Sequence, residues 1–347
     1  MMVVIGLGVV GGGGALLSCV LCGVGAFLWP GFLLPKADFE AFVPPDANVV
    51  IGVNPKLLRA KSANLEKLMR QQAAFAQQAN QQAQLEDVSL NSERMLAFSY
   101  TKGFENQLVS IFQSTASDIA KVKRNPNLGP AQTIGGHSNI HKLIGQGKRN
   151  GLPAFIAFPG KNVVITTEHD EKALLAALDR GKKQKEPNPA LELSRSVDKS
   201  PLWLAVSLDA NARGQLRRDL GQGPMVAPAL ANGAAVVDGV KGATVSFDIT
   251  AQEDLQIEAV VLCNNPDAAG KIKAGAEFGL NLVRVGMHFA PQGLGQRRIP
   301  PTLIGDLNSV TFRSKDANAT ASMTLSSRTL QDLVILGAAQ QNFRAGW

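Results

Sequence analysis

The sequence predicts an α+β fold: two tandem, similar subdomains of antiparallel hairpins covered by helices, in repeated ββα units, behind a single N-terminal transmembrane helix. Three observations carry that expectation. Pairs of short segments with alternating apolar and polar residues recur four times, each pair followed by a stretch of helical spacing. Hydrophobic content of 45% with 18% charged residues is that of a globular chain, not a disordered one. From Met1 to Pro35 there is no charged residue, and Lys36 is the first. The corresponding boundaries are 1–35 for the anchor, 36–185 for the first subdomain and 186–347 for the second.

The leader comes first. A spanning helix needs roughly 20 apolar residues, and the uncharged run exceeds that. Gly11 to Gly14 would weaken a helix in water, but glycine is commoner in membrane helices, and Gly8 with Gly12 makes the GxxxG spacing that lets two helices approach closely. The same stretch holds Gly6-Leu7-Gly8-Val9-Val10-Gly11, a GxGxxG string. A dinucleotide turn would need an amphipathic helix, a second strand and an acid about 20 residues on. Here the chain stays apolar, and the first acid, Asp38, follows the Trp29-Pro30-Gly31 break. The string reads as membrane segment. Leu16-Leu17-Ser18-Cys19 resembles a lipoprotein cleavage box, but apolar residues continue past it to Phe27, which favours an uncleaved anchor. Few basic residues lie near enough to set its orientation.

Pro44-Pro45 marks the start of the folded part. Asn48 to Val53 reads as a buried strand, and Ser62 to Gln84 as a helix with Leu65, Leu68, Met69 and Phe75 on one side. In the first ββα unit, Leu96, Phe98 and Tyr100 alternate, a turn falls at Lys102-Gly103, Leu108 to Phe112 returns, and a short helix holds Ile119 and Val122. The second pairs Ala154–Phe158 with Val163–Thr167 across Pro159-Gly160-Lys161-Asn162, then carries Leu174, Leu175 and Leu178 on a helix. After the strand and helix of Leu202 to Leu220 comes the third unit. Val245, Phe247 and Ile249 pair with Leu255, Ile257 and Ala259, and Asn265-Pro266 supplies an N-cap and first-turn proline for a helix through Ile272 and Ala276. The fourth runs from Val310 and Phe312 to Ala319, Ala321, Met323 and Leu325, and closes with Leu330, Leu333, Val334, Gly337 and Ala338. Alternation implies that each hairpin buries one face, with the returning helix as its cover. Gly181 to Ser200, Pro-containing and charged, reads as the linker between halves.

The formal charge of +7 permits attraction to acidic surfaces, lipid headgroups or polymers. It reads as scattered, with one dense run from Arg180 to Lys185 that lacks the interleaved aromatics of a nucleic-acid platform; no nucleic-acid partner is expected. Cys19 and Cys22 lie in the leader and Cys263 is alone, so the soluble part has neither a disulfide framework nor a thiol zinc site. His137 and His141 have the i, i+4 spacing of a helical metal pair, but Gly135-Gly136 makes an exposed hairpin turn the better reading. Glu168-His169-Asp170-Glu171 resembles an acid/base cluster and falls where a helix begins, so capping and the helix dipole account for it. Gly145-Gln146-Gly147-Lys148-Arg149 fails the P-loop pattern at both ends. Cys263 reads as a small buried hydrophobe. No catalytic, cofactor-binding or metal-ligating residue is assigned, and no cofactor is expected.

Val43-Pro44-Pro45-Asp46-Ala47-Asn48-Val49-Val50 is similar to the opening of an uncharacterised family of exported bacterial proteins abundant in planctomycete-like genomes. These begin with an anchor or signal and a Pro-Pro-Asp-Ala strand, and the spaced hairpins extend the likeness. The resemblance implies an extracytoplasmic domain and carries no catalytic residue. The expectation is therefore a membrane-anchored extracytoplasmic envelope protein that binds or scaffolds without catalysis. Its contacts would be the bilayer through 1–35, a helix partner at Gly8 and Gly12, and a protein or envelope polymer. Two rival readings remain. One is an enzyme, hydrolase-like, whose site is assembled from distant loops around Glu168 and His169. The other is a subunit of a membrane complex joined through its anchor helix.

Overall fold

A computed structural model describes residues 40–61, 94–99, 109–113, 116–124, 128–142, 154–160, 162–168, 171–183, 187–221, 237–289 and 301–332. The leader with Gly8 and Gly12, the helix expected at 62–84, the turn at Lys102-Gly103 and the glycine-rich 145–151 segment lie outside them. Mixed α+β architecture is what the described residues form, and every described strand pairing is antiparallel. No described helix is long and apolar enough to cross a membrane. The folded part divides into two compact units between Ser207 and Leu208.

In the N-terminal unit the strands are β1 (Val49–Val53), β2 (Met95–Ser99), β3 (Val109–Gln113), β4 (Gln132–Ile134), β5 (His137–Lys142), β6 (Ala154–Ala157), β7 (Val163–Glu168) and β8 (Leu202–Ser207). They lie side by side in the order β8-β1-β2-β3-β7-β6-β5-β4. Four helices accompany them: α1 (Pro55–Lys61), α2 (Ala116–Lys123), α3 (Glu171–Lys183) and α4 (Pro189–Ser194). One sheet face packs Val50, Phe98, Ile111 and Ile165 against Leu174, Ala177 and Leu178 of α3 and Leu191 of α4. The other packs Met95, Phe112, Ile156 and Val164 against Ile119 and Val122 of α2. All five residues of β2 are therefore buried. That corrects the expectation of hairpins with one wet face: helices cover both sides, so the polar half of the alternation has no solvent to meet.

Close approach of β1 and β8 depends on one glycine. Gly52 pairs in register with Trp203, and a Cβ at Gly52 would fall within the Trp203 ring. The indole, 3% exposed, lies over the space that glycine leaves.

The stretch read as a linker, 181–200, is instead part of the core. α3 continues through Lys183, and α4 buries Ala190, Leu191 and Ser194. Asn188 caps α4 by accepting from Leu191 N at 2.9 Å, with Pro189 in the first turn. Its amide nitrogen donates to the carbonyls of Pro44 and Ala47. The Pro-Pro-Asp-Ala segment is thus tied to a helix more than a hundred residues away. Nearby, Glu40 bridges Arg94 and Arg195, at 3.6 and 2.7 Å.

The C-terminal unit holds β9 (Val240–Ile249), β10 (Leu255–Cys263), β11 (Thr311–Lys315) and β12 (Asn318–Leu325), ordered β11-β12-β10-β9. Its helices are α5 (Ala210–Gly221), α6 (Pro266–Phe289) and α7 (Pro301–Leu307), with a further helical turn at 327–332. Alternation here behaves as expected. Leu255, Ile257, Val261 and Cys263 face the core, while Gln256 and Glu258 are exposed. Asn265 caps α6 by accepting from Ala268 N at 2.9 Å.

Candidate functional site

The two histidines singled out by spacing lie on a strand, not on a helix or in a turn. The turn is Gly135-Gly136, both in the left-handed region (φ 56° and 78°). His137 opens β5 and is 6% exposed, which corrects the reading of an exposed turn. Strand residues four apart are separated by about 13 Å. Asn139 between them takes φ 62°, breaking the alternation. The side chains accordingly go opposite ways. His137 Nε2 sits 2.8 Å from Asp179 Oδ1 on α3, while His141 Nδ1 sits 2.8 Å from the Gly129 carbonyl oxygen, its ring edge-on to Phe158. Each imidazole has a structural partner, and nothing brings the two to one ion. Among the described residues no group of three His, Cys, Asp or Glu side chains is placed to hold a metal.

Glu168 ends β7 and Glu171 opens α3, where its carboxylate meets the positive end of the helix dipole. His169 and Asp170 lie outside the described residues. Arg180 of the basic run is on the last turns of α3, not in a linker. Cys263 ends β10 buried at 2% exposure; burial pushes its thiol above the ordinary value, against a smaller opposing effect from Lys241.

A cleft of about 260 Å³ opens at the N-terminus of α6, lined by Asp238, Asn264, Asn265, Asp267 and Lys271 among others. Its polar groups serve the fold. Asn265 caps α6, Asn264 donates to the Asp238 carbonyl, Asp238 pairs with Arg217, and Asp267 pairs with Lys271. No set of groups converges on a common point there.

The feature that sequence reasoning passed over is a cationic face on the N-terminal unit. Lys121, Lys123 and Arg124 are exposed at the C-terminal end of α2, where positive charge also complements the helix dipole. Lys123 Nζ stands 5.0 Å from the centre of the Phe158 ring, the same ring that His141 meets at 5.5 Å. Lys142, next to His141, belongs to the other face of the sheet, where its Nζ stands 5.4 Å from the Phe155 ring. The signal was present in the chain as an absence. From Ile119 to Thr167 there is no Asp or Glu at all, while Lys and Arg recur through the segment. Lys121, Lys123 and Arg124 also fall within four consecutive positions; what the sequence does not show is that they stand beside Phe158 and His141.

The fold defines a mixed α+β protein built on antiparallel sheet. No protein-family model matches the chain, and no curated protein does. Among solved structures it is similar to TP0453. Crystal form III superposes with a TM-score of 0.47 at 9% identity, covering 86% of this chain and 98% of that one. Form I gives 0.44 at 9% identity over 87% and 98%, and form IV gives 0.45 at 7% over 88% and 96%. A likeness of that size carries no functional argument.

Proposed function

We propose that this chain is a membrane-anchored extracytoplasmic protein whose two α+β lobes, related by duplication, serve binding or scaffolding and not catalysis. The observation that carries the reading is the uncharged run from Met1 to Pro35. An apolar segment of that length gains far more from hydrocarbon than from water. The resemblance of Val43 to Val50 to the exported family points the same way. The partners are the bilayer through 1–35 and a protein or envelope polymer on the lobes.

Flotation tests the anchor. Full-length protein is expected to rise with phosphatidylcholine vesicles and to resist extraction by alkaline carbonate; protein left in the soluble fraction with its leader intact would overturn the reading. A reporter fused to the C-terminus reads the orientation, with activity expected outside the cytoplasm. Turnover of hydrolase substrates that point changes at Glu168 or His169 abolish would instead make the chain an enzyme.

A further inference from the structure

The acid-free segment and the lead-in to the fold reach the same end of the N-terminal sheet on its two faces. Glu40 is held to Arg94, the residue before β2. Met95 pairs with Phe112, and Phe112 with Val164. Ala157, next to Phe158, pairs with Ile165. Met95, Phe112, Val164 and Phe158 therefore stand in a row across the ends of four adjacent strands. Strands lie about 4.8 Å apart, so the row is about 14 Å long. Lys123 rests on its far member, Phe158, while Glu40 is tied to Arg94, the residue before its near member, on the side of the sheet that α4 covers. Between Glu40 and the last residue of the uncharged run are only Lys36, Ala37, Asp38 and Phe39. Four residues reach at most about 14 Å when extended.

From this we infer that the face formed by Lys121, Lys123, Arg124 and His141 docks on the anionic headgroups of the bilayer that holds the leader. The inference rests on the anchor reading for its geometry. Given that anchor, the tether holds this end of the sheet within about 30 Å of the surface, so the face meets the headgroups at high local concentration although their attraction is screened beyond about 8 Å. The charge is complementary. Asp118, in the first turn of α2, is the last acid before the acid-free segment, and Glu40 and Asp198 at the same sheet end are engaged with Arg94. The cations of α2 are exposed, and its apolar side is already used against the core, so contact would be electrostatic and without insertion. Each basic side chain at an anionic surface changes the apparent affinity by about fivefold. An acidic polymer is the competing partner for the same charge; the tether argument favours lipid.

Lysine acetylation followed by mass spectrometry tests the docking on the full-length chain. The protein is reconstituted in vesicles of phosphatidylcholine, or of phosphatidylcholine mixed with phosphatidylglycerol. Acetylation of Lys121 and Lys123 is expected to slow about fivefold or more in the anionic vesicles. High salt should restore the rate, and Lys172, exposed on the helix that covers the opposite sheet face, should not change. Equal rates in both vesicle types would overturn the docking. So would protection by soluble polyglutamate without protection by anionic vesicles, which assigns the face to a polymer. Replacing Lys123→Gln together with Arg124→Gln, both exposed, should abolish protection at Lys121 while flotation stays as in wild type. Anchor and face fail separately: no flotation with phosphatidylcholine sinks the anchor, and flotation with unprotected lysines sinks the face alone.

Discussion

Asn188 donates its side-chain amide to the Ala47 carbonyl at 2.9 Å, across 141 residues of sequence. The same amide group reaches Pro44, and its oxygen caps α4. One buried side chain, 3% exposed, therefore satisfies three backbone groups on two segments. This is how the Pro-Pro-Asp-Ala segment is held: β1 follows directly, and Val43 and Ala47 are buried in the same core as Leu191.

Replacing Asn188→Ala should cost roughly 2–4 kcal/mol, combining a lost cap with the loss of the donor to the buried Ala47 carbonyl, while the Pro44 carbonyl keeps Ala47 N at 3.1 Å. Asn188→Asp separates the parts. It keeps the capping oxygen but removes the donors and points a carboxylate at two carbonyl oxygens, so it should destabilise at least as much. Urea denaturation measures both. An Asp variant of wild-type stability would show that the cap alone matters.

Gly52→Ala should be more damaging than its size suggests, because the added methyl has no free space beside Trp203. Overpacking of this kind costs about 1–3 kcal/mol or more. Combining it with Trp203→Leu should recover part of the loss relative to the sum of the single changes. Strict additivity in denaturant titrations would mean that the two residues do not share the space.

Legibility in the sequence followed the range of the interactions. The hairpin of β9 and β10 and the Asn265-Pro266 start of α6 were readable because alternation, turn and cap are local signals. So was the pair β6 and β7. In the hairpin of β4 and β5 only the turn at Gly135-Gly136 was. Gln132, Thr133, His137 and Ser138 offer no alternation, and the strand forms because β6 presents a free edge to it. α4 was lost for a similar reason: Ala190, Leu191 and Leu193 in a Pro-containing stretch look like a linker until Asn188 ties them to Pro44 and Ala47. The cationic face was partly written in the chain, in the acid-free segment and in the closeness of Lys121, Lys123 and Arg124; its placement beside Phe158 was not.

Cys263 gives a pH test with a definite sign. Burial raises its thiol above the ordinary value of about 8.5. Above that pH the unfolded chain loses the proton while the folded one keeps it, so the folded state binds more protons and stability falls as pH rises. Below it the contribution is flat. Cys263→Ala should remove this alkaline component from the stability curve. In the native protein the thiol should resist a thiol reagent until the chain unfolds; labelling at the rate of a free cysteine would contradict its burial.

His137 and Asp179 join β5 to α3 across 42 residues, and a double-mutant cycle tests whether that bond matters. Asp179→Ala removes the partner of a buried imidazole, and leaving a buried polar group unsatisfied costs about 1–3 kcal/mol. The carboxylate itself is 57% exposed, so solvent screens the pair and the cost belongs at the lower end of that range. Asp179→Asn can still bond to the ring and should lie nearer wild type. Removing both partners, His137→Ala with Asp179→Ala, should cost less than the two single changes together. If the costs instead add within experimental error, the contact contributes nothing to holding the hairpin, and the burial of His137 must rest on packing alone.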